Sequence, residues 1–193
     1  MITMKITLSL KDFIIEVFDE YKSSQTLEHL GLYENTYRPA KDEDCIPTSQ
    51  HAIIIYQREI KKASAILQAV AGATSVNSNS VIIDNDSLII RCCNNVFSLT
   101  IPDLNLNWMT EVDWATCFSI HKYKDSYISH GELTVSRIDR KGNVIWSFGG
   151  ADIFVSLYEG NPFEMNEDFI QLTDFSGGKY KIDYNGETIS YEK

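Results

Sequence analysis

From residue 81 onward the chain obeys a period of two. Apolar residues alternate with polar ones in short runs, and turn-forming residues interrupt the runs about every 8–12 positions. Val81–Ile83 and Leu88–Arg91 flank Asp84-Asn85-Asp86, a hairpin signal. Phe97, Leu99 and Ile101 alternate with Val96, Ser98 and Thr100, and Leu104, Leu106 and Trp108 keep the spacing after Pro102. Thr116–His121, Tyr127–Ile138, Val144–Phe148, Ile153–Leu157, Phe169–Thr173, Lys179–Asp183 and Thr188–Tyr191 read as further strands. Side chains two apart on a strand share a face. A chain patterned this way buries its apolar face only in an antiparallel β module, a sandwich or a curled meander.

The segment 1–80 reads differently. Ile2, Met4, Ile6 and Leu8 alternate with Thr3, Lys5 and Thr7, which predicts a strand. Ser9 then offers an N-cap with Asp12 three positions on, close to a capping box. Behind it Leu10, Phe13, Ile14, Val17, Phe18 and Tyr21 fall at helical spacing. Residues 23–50 hold Gly31, Pro39, Pro47 and the acidic run Lys41-Asp42-Glu43-Asp44, and read as loops with a short turn near Leu27–Leu30. Ile53–Tyr56 is a further strand. Ile60, Ala63, Leu67, Val70 and Ala71 predict a second helix that stops at Gly72. The expected class is α+β, with two N-terminal helices and a mainly antiparallel β module from about residue 81. The expected organisation is one domain over 1–193, with 1–80 packing on 81–193.

At 193 residues and 44% apolar content the chain has enough apolar surface for a core, which excludes a disordered polymer. Its net charge of −10 repels phosphate backbones, so neither nucleic acid nor an anionic membrane is an expected partner. The acidity is concentrated at the two ends of the chain, and the segment 152–193 carries nine acids against three bases. The opening residues lack the basic and continuous apolar regions of a signal peptide, and no apolar run approaches a membrane span. Cys92 and Cys93 are adjacent, a spacing that suits neither a disulfide framework nor a zinc knuckle. Buried free thiols in the cytoplasm are the expectation.

Two segments echo one another. Ser136-Arg137-Ile138-Asp139-Arg140-Lys141-Gly142-Asn143-Val144-Ile145-Trp146 carries an Asp-x-x-Gly-x-x-x-Trp pattern, and Tyr180 to Ile189 repeats its Asp-x-x-Gly core as Asp183-Tyr184-Asn185-Gly186 without the tryptophan. This pattern resembles the hairpin of quinoprotein-type propeller blades. A propeller needs at least four blades of about 40 residues. The β module alone is too short for that, so the resemblance implies a shared hairpin rather than a propeller.

Catalytic signatures are missing: there is no phosphate-binding glycine loop, no G-x-S-x-G and no H-E-x-x-H. His130 and Glu132 share a strand face, and with His121 they form a candidate metal-ligand set that Asp113 could extend. A metal-dependent enzyme or ligand-binding β module built on Asp113, His121, His130 and Glu132 is therefore the alternative reading. No cofactor is expected. Aromatic residues crowd the central module: Trp108, Trp114, Phe118, Tyr123, Tyr127, Trp146 and Phe148. Trp and Tyr rimmed by carboxylates anchor protein interfaces. The leading expectation is thus a non-enzymatic interaction module, of an inhibitor or immunity type, that docks a basic protein. Trp114, Tyr123, Glu159, Glu164, Glu167 and Asp168 are its candidate contact residues.

Overall fold

A computed structural model describes residues 5–20, 32–156 and 160–193. Among them are seventeen strands and one short 3₁₀ turn, and no α-helix. They form four sheets in chain order. Sheet I comprises β1 (Lys5–Leu10), β2 (Phe13–Asp19), β3 (Asn35–Tyr37), β4 (Ser49–Gln57) and β5 (Ile60–Ala69), in the order β1-β2-β4-β5-β3. Sheet II is the meander β6 (Val81–Asp84), β7 (Ser87–Cys92), β8 (Asn95–Thr100) and β9 (Leu106–Glu111). Sheet III is β10 (Cys117–Tyr123), β11 (Ser126–Gly131), β12 (Thr134–Asp139) and β13 (Val144–Gly149). Sheet IV is β14 (Phe163–Met165), β15 (Phe169–Thr173), β16 (Lys179–Asp183) and β17 (Thr188–Glu192). All neighbours are antiparallel except β3, which lies parallel to β5.

The α+β expectation is overturned in its helical half. The first expected helix is instead β2, which turns back at Lys11, whose φ is +56°, to pair with β1, the described part of the expected N-terminal strand. Ile15 and Val17 are fully buried and Ile14 is 41% exposed, so the segment alternates as a strand does. The second expected helix is β5, buried on both faces from Ala63 to Ala69. A strand buried on both faces reads as a nearly continuous apolar run, and periodicity cannot separate that from a helix. The turn expected at Leu27–Leu30 and the start of the expected N-terminal strand lie outside the described residues.

Alternation explains how the sheets stack. Along β7, Leu88 and Ile90 join Ile15, Val17, Ile53, Ile55 and Leu67 of sheet I, while Ile89 points the other way and joins Ile120, Tyr127 and Ile138 of sheet III. Along β11, Tyr127 belongs to that II–III seam, and Ile128 packs with Phe163, Ile170, Leu172, Tyr180 and Ile182 at the III–IV seam. The middle sheets are therefore covered on both faces. Among the described residues no apolar cluster joins sheet IV to sheet I.

The two echoing hairpins are the same device used twice. Asp139 Oδ1 accepts from the amides of Lys141 (2.8 Å) and Asn143 (2.9 Å), and Asp183 Oδ1 accepts from those of Asn185 and Glu187 (both 2.9 Å). Gly142 and Gly186 adopt φ of +87° and +88°, a region that favours glycine. Trp108 of sheet II lies on the Gly142 turn and donates from Nε1 to Arg140 O (2.9 Å). Trp146 of sheet III lies on the Gly186 turn and donates to Tyr184 O (3.1 Å). Each tryptophan clamps its sheet to the next one along. Counting blade lengths over 81–193 alone leaves out sheet I, which comes from the segment before Val81. The short strands of sheet II, joined by tight turns, also fit a whole four-stranded sheet between Val81 and Glu111.

Trp146→Ala is expected to cost about 3 kcal/mol in urea unfolding, through lost packing and the loss of one hydrogen bond. A cost under about 1 kcal/mol would contradict the clamp.

Candidate functional site

The connections at one end of the stack are stitched into a continuous band. Gly72 N donates to Ala115 O (2.9 Å), Cys117 N to Cys93 O (2.8 Å), Glu132 N to Thr116 O (2.7 Å), Phe154 N to Glu132 O (2.7 Å) and Phe175 N to Ile153 O (2.8 Å). Asp113 organises its centre. The side chain is buried, and Oδ1 accepts from Ala115 N (2.7 Å) and Thr116 N (3.2 Å). Oδ2 accepts from Leu133 N (2.9 Å), Thr134 N (2.8 Å) and Thr134 Oγ1 (3.2 Å). Five donors meet the demands of a buried carboxylate. A Cβ on Gly131 would stand 2.2 Å from Oδ2, so only glycine fits beside it.

Trp114 projects from this locked loop, 86% exposed. Trp108 and Trp146, by contrast, are sequestered on turns at the seams. The acidic loop at 41–44 reaches the same end. Asp42 Oδ2 accepts from Val70 N (3.1 Å), and Lys41 pairs with Glu111 at the end of β9. Glu43 and Asp44 are exposed there.

A cleft of about 510 Å³ opens between sheets III and IV. Phe163, the first residue of β14, stacks against two imidazoles from sheet III: His121 at 5.1 Å and 25°, and His130 at 4.8 Å and 11°. Phe118 flanks His130 at 5.4 Å between ring centres. His121 Nε2 is 2.8 Å from Ser119 Oγ, and His130 Nε2 is 3.2 Å from Phe154 O. Burial lowers the pKa of both rings, that of His130 to about 4 despite its hydrogen bond to Phe154 O. Both imidazoles are neutral near pH 7.

The sequence-derived candidates are thus partly reunited and partly dispersed. His121 and His130 meet, through the pairing of β10 with β11 and the docking of Phe163. Glu132 stands in the turn after β11, and Asp113 spends both oxygens on the chain. Among the described residues no three His, Cys, Asp or Glu side chains converge as metal ligands. Trp114 and Glu164 are exposed, whereas Tyr123 stacks on Tyr184 at 3.7 Å and 7° with Arg137 over its ring, a seam contact. Glu167 and Asp168 are exposed in the β14–β15 turn, away from the Trp114 end, and Glu159 lies outside the described residues. Phe163 escapes a reading of the sequence, because β14 spans only Phe163–Met165 and alternation needs a longer run to be visible.

No family model and no curated protein matches the chain. Solved structures do. The computationally designed protein Ika8 is 8% identical, aligned over 96% of this chain and 60% of its own, with a TM-score of 0.52. The AfRom2 CNH domain is 9% identical, over 98% of this chain and 54% of its own, with a TM-score of 0.51. The chain spans less than two thirds of the length of either. At such identities the likeness concerns the fold, a succession of small antiparallel sheets of the kind that build propellers. No described helix is long and apolar enough to cross a membrane.

His130 supplies a pH test. Its folded pKa lies below the ordinary value near 6.5, so its neutral-state contribution is fully present above pH 6.5 and is lost as pH falls towards 4. The expected loss is about 3 kcal/mol. Urea unfolding from pH 7 to pH 4 should show a steeper decline for the wild type than for His130→Gln. Parallel declines would show that burial of His130 does not govern acid stability.

Proposed function

We propose that the chain is a non-enzymatic protein-interaction module whose Trp114 loop anchors a basic partner, in the manner of an inhibitor or immunity-type protein. The observation that carries this reading is an indole 86% exposed on a loop whose backbone is fixed. The Asp113 carboxylate and the Gly72–Ala115 hydrogen bond hold the loop still, so little conformational entropy is lost when the ring is buried by a partner. Rigid tryptophans of this kind supply a large share of the affinity at protein interfaces. Glu43 and Asp44 on the neighbouring loop, and the net charge of −10, favour a cationic partner and speed its approach. The four free thiols accord with a reducing compartment, and the cytoplasm remains the proposed location.

The test uses wild type and Trp114→Ala as parallel affinity baits, followed by titration of any protein retained by the wild type alone. Trp114→Ala should weaken that partner at least tenfold and leave the melting temperature unchanged. The wild-type complex should dissociate as salt rises. A partner that binds both proteins equally, or ignores salt, would overturn the reading.

A further inference from the structure

We propose that the cleft between sheets III and IV is a binding site for an organic cation, a guanidinium or alkylammonium head group. This inference does not rest on the role given to Trp114. Its basis is that every described group lining the cleft is electron-rich or neutral. Phe118, half-buried at the cleft wall, contributes a π face, which attracts cations electrostatically. The imidazoles of His121 and His130, stacked on Phe163, line the same cleft and add their own electron-rich rings. A carbonyl oxygen only accepts hydrogen bonds, so His130 carries its proton on Nε2, facing Phe154 O, and keeps a lone pair on Nδ1. Nδ1 is then an acceptor. Burial keeps both rings neutral, so they do not repel a positive charge. Among the described residues lining the cleft, Glu164 is the one with a formal charge, and that charge is negative.

Size agrees with this chemistry. At about 510 Å³ the cleft exceeds a bare guanidinium and accommodates the alkyl chain behind it. Such a head group occurs on a free small molecule and on an arginine side chain of a protein partner, and both offer the same donors and the same charge.

The experiment follows the His121 and His130 ring signals by NMR in the full chain. The probes are ethylguanidinium chloride, the blocked peptide acetyl-Gly-Arg-Gly-amide, and the neutral isostere ethylurea. Both histidines should shift saturably with ethylguanidinium and not with ethylurea. Phe118→Leu keeps apolar bulk but removes the π face, and should weaken the cation at least fivefold. Glu164→Gln, at an exposed position, should weaken it about threefold. Trp114→Ala should leave it unchanged, which separates this site from the partner interface. Tighter binding of the peptide supports an arginine side chain as the source, and equal or weaker binding supports a free small cation. Absence of a saturable shift, or equal binding of ethylurea, would overturn the proposal.

Discussion

Sheet-on-sheet contact through tryptophan fixes the spacing at the II–III and III–IV seams. A turn of Asp-x-x-Gly form exposes a flat backbone surface because its glycine carries no side chain, and an indole from the preceding sheet covers that surface. Trp108 and Trp146 each also donate a hydrogen bond to a turn carbonyl, which sets the angle as well as the distance. Asp84 reinforces the II–III seam near the same turns, accepting from Tyr127 (2.9 Å) and Arg140 (3.2 Å) and pairing with Lys122. With these contacts in place, the alternate residues of β7 and β11 are committed to opposite neighbours. Sheet IV has Ser190 where Trp108 and Trp146 stand in sheets II and III, and its far face carries Gln171, Thr173 and Lys181. It is therefore patterned with one apolar face, as antiparallel sheets with a wet side are.

At the opposite end, buried carboxylates do the joining. Asp113 binds the β9–β10 connection to the β11–β12 turn. Asp174 accepts from Gly178 N and Tyr180 Oη, both at 2.7 Å, within sheet IV. Asp19 accepts from Val76 N at 2.9 Å and lies 3.0 Å from His51 Nδ1, tying β2 to the linker that leads into sheet II. Burial by itself would raise the pKa of Asp19. The close approach of the His51 ring and the hydrogen bond from Val76 N outweigh that and lower it. An acidic chain thus uses several of its carboxylates as internal acceptors, and its net charge overstates the acid available to a partner. Of what remains outside, Glu43 and Asp44 lie at the same end as the exposed Trp114, and Glu167 and Asp168 lie away from it.

Much of this is visible in the linear pattern, and the failures have identifiable causes. The strands from Val81 to Thr100, the turn at Asp139–Asn143 and the turn at Tyr184–Glu187 follow from alternation and turn chemistry, which are local. β2 and β5 read as helices because Phe13, Ile14, Val17 and Phe18, and likewise Ile60, Ala63 and Leu67, satisfy helical spacing by accident of a strand apolar on both faces. The expected strand at Ile153–Leu157 is instead a connection over its described part, and Phe154 enters the III–IV core from it. His121 and His130 stand out as a pair from residue type alone. Their shared partner Phe163 does not, since it is remote from both in the chain and reaches them only through sheet packing.

The sequence by itself determined that the segment 81–193 folds as short antiparallel strands, that two of its turns are of one kind, and that the chain carries strong negative charge. These are properties of neighbours in the chain, governed by backbone stereochemistry and side-chain period. Only the tertiary structure decided that the described residues before Val81 supply a fourth sheet, since a strand covered on both faces, as β5 is, is recognised by what covers it. It likewise decided which tryptophan is bare, where Asp113 spends its charge, and that two histidines and two phenylalanines share a cleft. Those outcomes depend on contacts between sheets, and the distances that set them are nowhere written in local pattern.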